Sequence, residues 1–167
     1  MKKCHYFLLL CMLAGCCIPM QGKNPFKQLG KKPRIVVLTD IAPANVEPDD
    51  MESMIRMMSH ADLFEIEALI ASGGWNSSGR AYPLEWMDSL SRVIDAYEKD
   101  LPHLMKRSSQ TSFLTSVKEN KKQTIGYWPS AQYLRDRVMP GSLKLGQKEI
   151  GANNRSKGSD YIIQLAD

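Results

Sequence analysis

The chain has 167 residues, of which 43% are hydrophobic and 24% are charged. This composition suits one globular domain and excludes a disordered or fibrous chain. The formal net charge is +4, and Lys2 and Lys3 contribute part of it. So small a charge excludes the strongly basic surface of a nucleic-acid-binding protein, and no nucleic-acid partner is expected.

The N-terminus predicts export and lipid anchoring. Lys2 and Lys3 precede the apolar stretch YFLLLCMLAGC, which is too short to span a bilayer. The residues Leu13-Ala14-Gly15-Cys16 resemble the lipobox of bacterial lipoproteins, in which the peptide is cut before the cysteine and that cysteine is acylated. An ordinary secretory signal is the alternative. The lipobox implies lipidation of Cys16.

Three segments follow from this interpretation. Residues 1–15 form a lipoprotein signal peptide, residues 16–32 form a tether with scattered proline, glycine and lysine, and the domain begins at residue 33. We therefore expect an exported lipoprotein, anchored to a membrane in the periplasm or at the cell surface.

The first part of the domain predicts a strand and a helix. RIVVLT, from Arg34 to Thr39, is a continuous run rich in β-branched residues, which is typical of a strand buried on both faces of a parallel sheet. A helix face follows from Asp49 or Asp50 onward, because apolar residues recur at helical spacing at Met51, Met54, Ile55 and Met58. Such a methionine stripe favours core packing.

The following segments extend an α/β pattern. FEIEALIAS, from Phe64 to Ser72, predicts a second strand, so strand, helix and strand form a βαβ unit. PLEWMDSLSRVIDAYEKDL predicts an amphipathic helix, residues Leu104 to Val117 a possible further one, and SDYIIQLAD a last helix capped by Ser159. The expected fold is α/β with a parallel, Rossmann-like sheet.

An acidic loop, LTDIAPANVEPDD, connects the first strand to the first helix. In parallel α/β sheets, ligands bind at this end of the strands. One aspartate at a helix start needs only a capping role. Convergence of Asp40, Asp49 and Asp50 would instead raise their pKa values unless a hard cation kept them ionised. A Ca²⁺ or Mg²⁺ site is one hypothesis, and ordinary surface-loop chemistry is the other.

The motifs VVLTDI…EPDDMESMIRMM and IEALIASGGWN resemble the nucleoside hydrolase superfamily. They resemble most specifically the nucleoside-hydrolase-like domain of exported bacterial proteins labelled cellulose-binding. WMDSLSRVIDAYEKDLPHL and GSDYIIQLAD are similar to the same subfamily. The resemblance implies the parallel-sheet nucleoside hydrolase fold, with residues 33–167 as its N-terminal part and therefore an incomplete domain.

The resemblance also implies roles for individual residues. Asp40 matches a calcium ligand that is also the candidate base for the attacking water, and Asp50 matches another calcium ligand. Asp49 and Asn76 match groups that bind the sugar hydroxyls. Beside Asn76, Trp75 is a candidate for stacking on a base or sugar, with ordinary packing as the alternative.

Two features depart from the family pattern. Leu38 replaces the first aspartate of the family's motif, and the stretch from Ile41 to Pro48 makes the spacing between Asp40 and Asp49 longer. The family's remaining calcium ligands and distal sugar contacts lie in segments beyond the part that this chain resembles. The chain by itself is therefore expected to be inactive.

Two functions remain open. The first is hydrolysis of N-glycosidic or related bonds, in which calcium acidifies a water, Asp40 accepts its proton, and the hydroxide attacks the anomeric carbon. The second is a carbohydrate-binding lipoprotein that keeps the hydrolase-like fold without catalysis. Either function implies a nucleoside or glycan as ligand, and a homo-oligomer is compatible with both.

Overall fold

The computed structural model describes residues 30–77, 79–113, 124–146 and 149–167. Within these ranges, no helix is both long enough and apolar enough to cross a bilayer. The expected signal peptide and Cys16 lie outside the described residues, so lipid anchoring stays a prediction. Residues 114–117 of the helix expected over Leu104 to Val117 also lie outside them.

The fold is α/β, as predicted, and is built on a parallel sheet. The strands are β1 (Arg34–Thr39), β2 (Glu65–Ala71) and β3 (Val138–Pro140), in the spatial order β1-β2-β3. Both neighbouring pairs are parallel. The sequence pattern did not predict β3, because three residues are too few to show a strand periodicity.

Four α-helices accompany the sheet in the described ranges. They are α1 (Asp49–Met58), α2 (Asp88–Ser108), α3 (Ala131–Arg135) and α4 (Lys157–Ala166). Short 3₁₀ turns occupy Trp75–Ser77, Leu84–Met87 and Ala152–Asn154. The βαβ unit of β1, α1 and β2 agrees with the prediction.

The long helix α2 corrects one expectation. Residues from Leu104 onward do not start a separate helix, because α2 continues through Pro102 to Ser108. Its buried face runs from Leu90 to Leu101, and Leu104 continues it by packing against the same core. The burial of this apolar face outweighs the helix-breaking tendency of Pro102, which is exposed to solvent.

The core lies mainly on one face of the sheet, between the sheet and the first three helices. Met54 and Met58 are buried there, as expected for a core-filling methionine stripe. Trp128 is also buried in this cluster. A smaller cluster on the other face combines Ile70 and Met139 with Tyr161 of α4.

The second face is only partly covered. Leu38 is 62% exposed, so the expectation that β1 is buried on both faces is wrong at this position. The reason is that α4 packs over Ile70 and Met139, in the two other strands. A Cβ at Gly158 of α4 would lie 2.7 Å from Ile70 Cγ2, which shows how closely α4 approaches the sheet.

The cap of α4 also differs from the prediction. Ser156 is the N-cap, and its hydroxyl accepts a hydrogen bond from the Ser159 backbone N–H at 3.1 Å. The Ser159 hydroxyl in turn accepts from the Ser156 N–H at 2.8 Å. Ser159 is thus the third helical residue of a reciprocal capping box, not the cap itself.

Candidate functional site

The carboxylate of Asp50 joins the two ends of the acidic loop. Asp50 lies in the first turn of α1, yet its Oδ2 accepts a hydrogen bond from the backbone N–H of Asp40 at 3.0 Å. The same oxygen accepts from the hydroxyl of Thr39, the last residue of β1. These two bonds fix the start of α1 against the carboxyl end of β1.

The side chain of Asp40 lies against the chain that follows β2. A Cβ built on Gly74 would be only 1.5 Å from Asp40 Oδ2, so the carboxylate occupies space that any residue other than glycine would need. Burial is the main factor that raises the pKa of Asp40, followed by contact with the Asp50 carboxylate and by the charge of Glu47. The site therefore holds two carboxylates side by side at a cost that a cation would relieve.

Asn76 completes this arrangement from the 3₁₀ turn after β2. Its Nδ2 donates a hydrogen bond to the backbone carbonyl of Asp40. Its Oδ1 is buried, and within the described part of the chain this oxygen has no hydrogen-bond partner. A buried amide oxygen without a partner is costly, and a ligand hydroxyl or a cation would satisfy it.

Two predicted site residues take different positions. Asp49 is exposed, and its Oδ1 accepts a hydrogen bond from the Asp50 backbone N–H at 2.9 Å. Trp75 is 89% exposed, next to Asn76 in the chain. The structure therefore brings Asp40, Asp50 and Asn76 together, whereas Asp49 and Trp75 lie at the exposed margin.

The expectation that three carboxylates converge is wrong, because Asp49 does not join Asp40 and Asp50. Across residues 30–167, apart from the undescribed gaps, no group of three or more His, Cys, Asp or Glu side chains is placed to hold a metal ion. The reason is local, since the carboxylate of Asp49 turns to the backbone of its own helix. Two carboxylates, Asp40 and Asp50, remain in contact.

This donor set fits a hard divalent cation in its chemistry. Calcium takes about six to eight oxygen ligands, of which carboxylate and amide oxygens are typical. Asp40 and Asp50 supply carboxylate oxygens, and Asn76 Oδ1 is a further oxygen without a partner among the described residues. These three side chains account for part of a coordination shell, so other ligands would have to complete it.

Tyr82 lies beside the site and was not found by sequence reasoning. Its hydroxyl donates a hydrogen bond of 2.7 Å to the carbonyl of Ile41, the residue after Asp40. Burial and the nearby charges of Asp40 and Asp50 raise its pKa, so the hydroxyl keeps its proton. An isolated tyrosine before a helix has no periodic or motif signal, and nothing in the sequence alone marks it.

One solved structure has a similar fold. It is described as a nucleoside hydrolase-related hypothetical protein from Saccharophagus degradans that is associated with carbohydrate metabolism. The identity is 22% and the TM-score is 0.59, over 83% of this chain and 28% of that chain. This likeness establishes the fold, and the present chain spans only a minor part of that protein's length. No curated protein matches this chain.

The sequence itself matches a defined family over nearly all of the described domain. Residues 34–167 match the family described as "Cellulose-binding Sde182, nucleoside hydrolase-like domain". The match begins at the first residue of β1 and includes the acidic loop, Asn76 and α4. The resemblance inferred from the motifs is thus confirmed, and the chain belongs to this family of nucleoside hydrolase-like domains.

Proposed function

We propose that this domain binds a sugar-containing ligand, a nucleoside or a glycan, at the carboxyl ends of β1 and β2, and that it serves metal-assisted hydrolysis of a glycosyl bond. One observation carries the proposal. The Asp50 carboxylate is bonded to the Asp40 backbone N–H and lies near the Asp40 carboxylate, in a partly buried position next to Asn76, whose amide oxygen has no partner among the described residues. Such an arrangement is costly for folding alone and is typical of a binding site.

Each residue has a distinct role in this proposal. Asp40 and Asp50 would hold a divalent cation, which when bound would acidify a water molecule. Asp40, as a carboxylate beside the cation, accepts a proton from the attacking water. Asn76 accepts a hydrogen bond from a sugar hydroxyl through Oδ1. Asp49, at the exposed margin, binds a hydroxyl on the solvent side of the sugar.

A second candidate is sugar binding without catalysis. The observation that favours it is Trp75, whose side chain is 89% exposed immediately before Asn76. The flat apolar ring of an exposed tryptophan can stack on a sugar face. The description of the family as cellulose-binding agrees with such a platform.

A calcium titration tests the metal site. We expect Ca²⁺ to raise the melting temperature of the whole protein, with a stabilisation of about 2.7 kcal/mol when free calcium exceeds its Kd about a hundredfold. Asp50→Asn should abolish this rise. Glu52→Gln is the matched control, because Glu52 is an exposed acid of the same helix that pairs only loosely with Arg56, at 3.7 Å. An unchanged melting temperature, or a response that persists in Asp50→Asn, would contradict the metal site.

Ligand assays separate the two candidates. Calorimetry with a cello-oligosaccharide and with inosine shows which ligand binds, and chromatography shows whether either is cleaved. Hydrolysis predicts that Asp40→Asn abolishes turnover while binding persists. Binding alone predicts no turnover in any variant and loss of affinity in Trp75→Ala.

A further inference from the structure

Tyr82 is buried beside the candidate site, in the segment that leads from the Asn76 turn to α2. Its side chain is 2% exposed, and its hydroxyl donates to the Ile41 carbonyl at 2.7 Å. The ring meets Trp86 edge to face, with the centroids 5.7 Å apart. The ring therefore fixes the hydroxyl in place by packing.

The peptide groups on both sides of Asp40 are held by hydrogen bonds from different parts of the chain. The Asp40 N–H donates to Asp50, and the Asp40 carbonyl accepts from Asn76. The next residue is held in the same way, since the Ile41 N–H donates to Thr39 Oγ1 at 3.1 Å and its carbonyl accepts from Tyr82. Tyr82 thus ties the segment before α2 to the start of the acidic loop.

Loss of the Tyr82 hydroxyl would leave a buried acceptor. Ile41 is fully buried, so water does not reach its carbonyl without a change in the backbone. An unsatisfied buried carbonyl is costly, and rotation of its peptide group is the direct way to relieve that cost. That peptide group joins Ile41 to Ala42, so its rotation would change the backbone of the acidic loop next to Asp40, and we expect the Asp40 side chain to lose its fixed position against Gly74.

We propose that Tyr82 is a positioning residue for Asp40. Its hydroxyl holds the carbonyl of Ile41 in place, and this keeps the Asp40 and Asp50 carboxylates near each other. This role rests on the proposed function of the same site. Tyr82 is buried and would act through the backbone of the acidic loop, to which its hydroxyl donates.

Two tyrosine variants test this role. Tyr82→Phe removes only the hydroxyl and keeps the ring against Trp86. Tyr97→Phe is the matched control, because Tyr97 is also buried, at 4% exposure, and donates to the Pro129 carbonyl at 2.6 Å. Both variants should lose similar thermal stability. Only Tyr82→Phe should also weaken Ca²⁺ binding, by about tenfold in Kd measured by calorimetry.

Hydrogen exchange supplies a readout that does not require calcium. Backbone amides of residues 40–47 should exchange faster in Tyr82→Phe than in the wild-type protein, and should be unaffected in Tyr97→Phe. Wild-type exchange and calcium affinity in Tyr82→Phe, or equal changes in both variants, would overturn the proposal. If the wild-type protein does not respond to calcium, the proposed metal site fails, and the exchange comparison alone still decides the role of Tyr82.

Discussion

The two ends of the parallel sheet bury charged side chains in opposite ways. Near the amino ends of the strands, positive and negative side chains are buried in the same region. Four of them are each 5% exposed or less: Lys32, Glu65, Glu67 and Arg137. At the carboxyl end, the carboxylates of Asp40 and Asp50 touch each other. No salt bridge within the described ranges reaches either of them.

Most of the charge at the amino end is compensated locally, although Arg137 Nε is buried without a hydrogen-bond partner among the described residues. Arg34 forms an ion pair with Glu67, the β2 residue that has no register partner where the pairing of β1 with β2 shifts between Ile35 and Val36. A bulge of this kind turns a side chain away from its usual alternation. The guanidinium of Arg137 lies 3.3 Å from the centre of the Tyr133 ring and donates to the carbonyl of that residue at 3.0 Å.

This difference separates structural charge from functional charge. Buried groups with opposite charges or carbonyl partners hold a fold together, and removal of one partner leaves the other uncompensated. Two carboxylates held close together without a positive partner lower stability instead, and the proposed ligand would relieve that cost. Under the proposed function, the charges at the amino end contribute to stability, whereas the carboxylates at the carboxyl end bind a ligand.

The largest expected effect is at the carboxyl end, in Gly74→Ala. The new Cβ would lie 1.5 Å from Asp40 Oδ2 and 2.4 Å from Asp40 Cβ, so Asp40 must leave its position. We expect a loss of about 3 kcal/mol or more in the free energy of unfolding, since overpacking against a fixed neighbour is costly. Urea unfolding measures this loss, and calcium titration should show that the metal response is lost as well.

A double variant tests the cause of that loss. Asp40→Gly removes the group that the alanine meets, so the combination with Gly74→Ala should recover most of the lost stability. The control combines Gly74→Ala with Arg34→Met at the other end of the sheet, where the two losses should simply add. A Gly74→Ala protein within about 0.5 kcal/mol of wild type would contradict the close contact.

A smaller effect is expected at the amino end. Arg34→Met leaves the Glu67 carboxylate, with its side chain only 4% exposed, without its ion-pair partner. We expect a loss of about 2 kcal/mol, less than for a fully buried pair because the Arg34 side chain is 47% exposed. The calcium response should stay unchanged, which distinguishes this end from the carboxyl end.

Arg56→Met is the matched control for Arg34→Met. It also breaks an arginine–glutamate pair, but both side chains of that pair are more than half exposed. Its cost should be about 0.5 kcal/mol or less in urea unfolding. Equal losses of stability in the two variants would show that the ion pair of the buried Glu67 contributes no more to stability than an exposed pair does.

The parts of the fold that the sequence predicts are those written in a local pattern. β1 and α1 have the expected bounds because an apolar run and a helical repeat are each complete within a few residues. The cap of α4 was placed at Ser159 instead of Ser156, because both serines satisfy a local capping pattern. The structure resolves the ambiguity, since the two serines form one reciprocal capping box with Ser156 as the cap.

The candidate site shows the same limit. The acidic loop marks Asp40 and Asp50 because carboxylates at a strand end and a helix start form a recognisable sequence pattern. The fit of Gly74 against Asp40 depends on the distance between two chain segments, and so does the bond from Tyr82 to Ile41. Such contacts leave no mark in composition or spacing, so they could not be predicted from one sequence.

The last expected effect is the pH dependence of stability at the amino end, through Lys32. Its ammonium donates to the carbonyls of Ala61 and Tyr127, at 3.2 and 2.5 Å. Burial lowers the pKa of Lys32 to about 8, and the nearby charges of Asp62 and Glu65 oppose this change only in part. In the unfolded chain the ordinary pKa is 10.5. Between about pH 8 and 10.5 the unfolded chain therefore binds more protons than the folded protein.

The free energy of unfolding should consequently rise with pH across that window, through the contribution of Lys32. Below pH 8 both states are protonated, so this contribution is constant, and the cost of burying the charge is fully present. We expect the free energy of unfolding of the wild-type protein, measured in urea, to increase relative to that of Lys32→Met by on the order of 1 kcal/mol from pH 7.5 to pH 10. Lys31→Met, at the exposed neighbouring position, controls for the loss of one positive charge. A difference that stays constant with pH would mean that Lys32 remains charged when buried, and the amino end would then hold its charges as tightly compensated as the ion pair of Arg34.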